Sequence, residues 1–94
     1  MKINLILNNQ EKTFEAPFVS ARQLKNTLEL SEKVDKEGLT VDVIDKLCTF
    51  VVGIYGNQFT VDELLDGYPA QEFFMKALED MQNIIHGFDK SVKN

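Results

Sequence analysis

The feature that most constrains this chain is a change of hydrophobic period at Ser20. Ahead of it, Ile3, Leu5 and Leu7 occupy every second position, and after the polar link Asn8-Asn9-Gln10 a second alternation offers Phe14, Ala16 and Phe18. Successive strand side chains point to opposite faces, so a period of two predicts strands, and the short polar link predicts a hairpin over residues 1–18. Two strands are barely stable alone in water, so their apolar face needs a cover. The chain after Ser20 repeats near 3.6 and supplies that cover. The fold class is therefore α+β: an N-terminal β-hairpin packed against about four α-helices, mainly helical.

Helix boundaries are marked by their caps. Ser20-Ala21-Arg22-Gln23 is a capping box, with Val19 and Leu24 spaced as a hydrophobic staple. The helix it opens places Ala21, Leu24, Leu28 and Val34 on one face. Thr27, Ser31 and Asp35 intrude on that face, which predicts fraying after about Leu30 and an end at Lys36-Glu37-Gly38. Thr40 caps a second helix running to Tyr55, whose apolar side chains cover a roughly 200° arc, a width suited to a central helix contacted on several sides. Val41, Ile44, Leu47, Cys48, Val51, Val52 and Tyr55 form its centre, and Val43, Phe50 and Ile54 form a stripe along one edge. Gly56-Asn57 supplies a left-handed stop.

Thr60-Val61-Asp62-Glu63 is a second capping box, stapled by Phe59 and Leu64 and stopped by Asp66-Gly67 after one to two turns. Pro69 suits the first turn of a last helix. On that helix Phe73, Phe74, Ala77, Leu78, Met81, Ile84, Ile85 and Phe88 share a face, opposite Glu72, Lys76, Glu79, Asn83 and His86. Residues 1–88 form one domain on this reading, and residues 89–94, with little apolar content, form a frayed tail.

Composition narrows the function. Ninety-four residues leave no room for a two-domain enzyme. Ten Lys plus Arg face 15 Asp plus Glu, for a net charge of −5, and the cations are scattered. Counterion release needs clustered cations, so nucleic acid is not an expected partner. No apolar run approaches the roughly 18 residues of a membrane span. Cys48 has no second cysteine to pair with, and the start lacks a signal-peptide pattern, so an intracellular protein is expected.

The residues that could carry chemistry have simpler roles. His86, the lone imidazole, has no neighbour at metal-ligand spacing, and Cys48 falls in the middle of an apolar arc, where a thiol packs as a small hydrophobe. Gly53-Ile54-Tyr55-Gly56 follows a helix and lacks the Lys and Ser/Thr of a phosphate loop. Asp62, Glu63 and Asp66 lack the spacing of a calcium loop. No catalytic residue, metal or cofactor is assigned. The apolar surplus at Val43, Phe50 and Ile54 has two readings: it is covered by the hairpin or first helix, or it receives a partner's amphipathic helix.

The order of segments carries a resemblance. Lys12-Thr13-Phe14-Glu15-Ala16-Pro17-Phe18-Val19-Ser20-Ala21-Arg22 precedes an acidic helical region. Then comes Phe50-Val51-Val52-Gly53-Ile54-Tyr55-Gly56-Asn57-Gln58-Phe59-Thr60-Val61-Asp62-Glu63-Leu64-Leu65-Asp66-Gly67. The chain, from Met1 to about Gly87, resembles the tail assembly chaperones of long-tailed, siphovirus-type phages and prophages of Gram-positive bacteria. The shared segments are turns, caps and staples. The resemblance implies a non-enzymatic factor of the host bacterial cytoplasm, absent from the mature virion. Its implied partners are the tape measure protein, which it keeps soluble, and the tail tube protein, whose polymerisation it promotes. Self-association is compatible with this role. The alternative is a small cytoplasmic adapter or regulator of phage origin that binds another protein.

Overall fold

A computed structural model describes residues 1–93, with side chains described for residues 1–87. The expected frayed tail, residues 89–94, and the expected core position Phe88 lie outside the described side chains. Strands β1 (Lys2–Leu7) and β2 (Gln10–Glu15) pair antiparallel, with Ile3 opposite Phe14 and Leu7 opposite Gln10. Asn8 and Asn9 make the two-residue turn with φ of 52° and 63°. Two positive φ values match the right-handed twist of the flanking strands, and Asn tolerates that region better than most residues. Four helices follow: α1 (Ala21–Glu37), α2 (Val41–Ile54), α3 (Val61–Gly67) and α4 (Ala70–Lys93).

The second alternation ends sooner than expected. Pro17 has no N–H to donate, so pairing stops near Ala16, whose N–H donates to the Met1 carbonyl at 2.9 Å. Phe18 leaves the sheet and stands 85% exposed. Ile3 and Leu5 are buried against the helices, and Phe14 meets Phe59 with ring centroids 5.0 Å apart. The hairpin docks through β1 on α3. There Gly67 comes so close that a Cβ on it would lie 2.7 Å from the Ile6 carbonyl oxygen.

The caps form as the spacing predicts. Ser20 Oγ accepts from the Gln23 N–H and Gln23 Oε1 accepts from the Ser20 N–H, and Thr60 and Glu63 repeat the exchange. Thr40 Oγ1 accepts from the Val43 N–H. Helix α2 is the central element, touching α1, α3 and α4; its Val43, Leu47, Cys48, Val51, Val52 and Ile54 and the capping Tyr55 are buried, while Val41, expected at the centre of the apolar arc, is exposed in the first turn. The burial of Cys48 pushes its thiol pKa up, as befits a packing residue.

Helix α1 departs from expectation in two ways. It stays helical past Leu30 to Glu37, where the sequence places its end, and its inward face is Thr27 and Leu30 with Val34 packed beside them, while Leu28 is 50% exposed. The rotation is permitted because Thr27 Oγ1 donates to the Gln23 carbonyl at 2.6 Å and so enters the core with its hydroxyl satisfied. The last turn is held by Lys33 Nζ, 2.7 Å from both Glu37 and Asp42, and by the Gly38 N–H, which donates to the Val34 carbonyl. The Asp42 carboxyl is held below its ordinary pKa by its hydrogen bond to Lys33.

Candidate functional site

The expected apolar stripe on α2 divides once the helices pack. Val43 is 0% exposed and Ile54 1%, so α2 turns these two residues into the bundle. Phe50 is only partly buried. It lies on the wall of an open groove of about 910 Å³ between α1 and α2, with Ile54 on the floor beside it.

The groove follows from the local folding of both helices. On the α1 side its lining includes Gln23, Asn26, Leu30 and Lys33, and on the α2 side Lys46, Thr49, Phe50 and Gly53. Gln23 Nε2 donates to the Gly53 carbonyl at 2.9 Å and ties the helices at one end. At the other, Lys33 bonds Asp42. The pairs Gln23 with Gly53 and Lys33 with Asp42 set α1 and α2 antiparallel. A Cβ added to Gly53 would meet nothing within 4 Å, so the missing side chain leaves the wall hollow at that point. Phe18, released from the hairpin by Pro17, stands at the Gly53 end of the groove with Asn57. Sequence reasoning placed Phe18 on the sheet. Pro17 before it was the signal that pairing had ended.

A second surface lies on the outer side of α1. Ala21, Leu24 and Leu28 form a shallow apolar strip bordered by Glu29, Glu32 and Asp35. Those three apolar residues were expected to face inward. Elsewhere the exposed large hydrophobics Ile6, Leu39, Val41, Leu65 and Met75 are scattered over different elements.

Against this geometry the comparison with known families is decisive. A family described as phage tail chaperone protein matches residues 1–94. The chain belongs to that family. Membership implies binding to other tail proteins and a part in phage tail assembly. No curated protein and no solved structure matches the chain.

The polar interior of this tail chaperone is tied by hydrogen bonds. Asp80, fully buried, accepts from Tyr55 Oη at 2.9 Å and from Lys76 Nζ at 3.0 Å. Burial pushes the Asp80 pKa up, against the opposing pull of Lys76 and Tyr55, and burial likewise pushes the Tyr55 phenol up. The expectation that Lys76 belongs to the solvent face is thus corrected. Its side chain is 16% exposed and reaches back one turn to Asp80. Among the described residues no three His, Cys, Asp or Glu side chains are grouped to hold a metal ion, and no helix is long and apolar enough to cross a membrane.

Proposed function

We propose that this chain is a non-enzymatic tail assembly chaperone. In this reading it binds the tape measure protein, keeps it soluble in the host cytoplasm, promotes tail-tube polymerisation around it, and is absent from the mature virion. The phages concerned are the long-tailed ones of Gram-positive bacteria that the sequence resembles. Family membership supports the assembly role, and one structural observation supports the binding mode: an open groove between α1 and α2 with Phe50 on its wall.

An antiparallel helix pair offers a cleft into which the side chains of a third helix can interdigitate. Phe50 and the exposed Phe18 are the apolar groups such a helix would cover, and aromatic anchors commonly carry much of the affinity at such surfaces. Of the remaining two stripe residues, Ile54 contributes from the floor and Val43 supports α2 from the core.

The test is groove filling. A Cβ at Gly53 meets nothing within 4 Å and Gly53 lines the groove, so Gly53→Leu is expected to fill the groove without disturbing the packed core. Co-expressed with the tape measure protein, the native chain is expected to hold it in the soluble fraction and co-purify with it. Gly53→Leu, verified as folded by circular dichroism, is expected to lose both properties. Full retention of the tape measure protein by the folded variant would contradict the groove as binding site.

A further inference from the structure

We infer that the groove between α1 and α2 selects an acidic amphipathic helix, one with apolar anchors on its docking face and Asp or Glu at the flanks of those anchors. The inference rests on the reading of this groove as the partner site and adds the chemistry of what it accepts.

The protein carries a net charge of −5, so its overall field disfavours an acidic partner. The groove runs against that field. Its lining holds three cations, Arg22, Lys33 and Lys46, and one acid, Glu29. Lys33 is already engaged by Glu37 and Asp42. Arg22 and Lys46 are exposed and make no ion pair within 4 Å among the described residues, although Lys46 is close enough to Asp42 to help hold its carboxyl pKa down.

Their placement gives the ligand a spacing. Arg22 adjoins Gln23, whose amide reaches Gly53, and so marks the Gly53 end of the groove. Lys46 lies seven residues before Gly53 on α2, a rise of roughly 10 Å or about two turns. Phe50 falls between these levels. A helix lying along the groove therefore meets apolar surface between two cations about two turns apart. Carboxylates seven positions apart on the partner, with a large apolar residue between them, match both features.

The test uses the full chain and two fluorescent helical peptides with identical apolar positions, one with Glu at both flanking positions and one with Lys. Anisotropy titration is expected to show the Glu peptide binding about tenfold more tightly at low ionic strength, because each exposed charge contact changes sign between the peptides, and the preference should shrink as salt is added. The double variant Arg22→Glu with Lys46→Glu, both sites being on the surface, is expected to reverse the preference. Equal or tighter binding of the Lys peptide to the native chain, no binding of either peptide, or an unreversed preference in the double variant would overturn the inference.

A second copy of this chain is a competing occupant, since the outer face of α1 is itself apolar and acidic. Sedimentation showing self-association that the double variant abolishes, with no peptide binding, would replace the proposed ligand by that copy. Tape measure retention separates failure of the inference from failure of the binding mode. If Gly53→Leu loses the tape measure protein and the charge-reversed variant keeps it, the groove stands and its charge selection falls. If both keep it, the groove itself falls.

Discussion

Two glycines in helical segments of this chain have opposite consequences. At Gly67 an added Cβ would stand 2.7 Å from the Ile6 carbonyl oxygen and 3.3 Å from its nitrogen, so Gly67→Ala must push β1 away from α3. Crowding of this kind costs about 1 to 3 kcal/mol. At Gly53 nothing lies within 4 Å, and Gly→Ala in helical backbone is favourable by about 0.5 to 1 kcal/mol. Urea denaturation is expected to lower the midpoint of Gly67→Ala and raise that of Gly53→Ala. Asp80 adds a pH dependence. Its folded pKa is raised by burial, so its contribution to stability is full below the unfolded value of about 3.9 and is lost as pH rises through the folded one. Asn at this position does not titrate. The stability advantage of the native chain over Asp80→Asn should therefore shrink as pH rises from the acid range toward neutrality, and paired denaturation curves that keep a constant separation would contradict the raised pKa.

At the scale of elements, α1 tests whether its inward face is assigned correctly. Leu30 is 8% exposed and Leu28 50%. Leu30→Ala is expected to cost about 2 to 4 kcal/mol and Leu28→Ala less than about 0.5 kcal/mol, measured by thermal or chemical melts. Equal costs would contradict the orientation of the helix. This helix also marks where sequence reading stopped. Apolar spacing favours a face through Leu24 and Leu28, on which Thr27 reads as a polar intrusion, while Gln23 reads only as a cap residue. They turn inward because Thr27 bonds the carbonyl four residues earlier and Gln23 bonds Gly53, thirty residues away. Caps were legible because their partners are three residues apart. Asp80 was not, since its partner Tyr55 is twenty-five residues distant and its neighbour Lys76 reads as a surface cation.

Across the whole molecule, the hairpin-plus-helices class was legible from the change of period at Ser20, and the central place of α2 from the width of its apolar arc. The groove was legible only in part. Phe50 stood on the candidate stripe, but the hollow beside it depends on how α1 lies against α2, a tertiary relation that periodicity does not encode. The resulting molecule has a packed centre around α2, a hairpin docked on α3 through β1, and an open cleft on the α1 side. The claim that this cleft holds a helical segment of the tape measure protein is tested most directly by following backbone amide signals of the isotope-labelled chain as a tape measure fragment is added. The account predicts that shifts concentrate at Arg22, Gln23, Asn26, Lys46, Phe50 and Gly53. Shifts confined to the hairpin or α4, with those six unmoved at saturation, would contradict it.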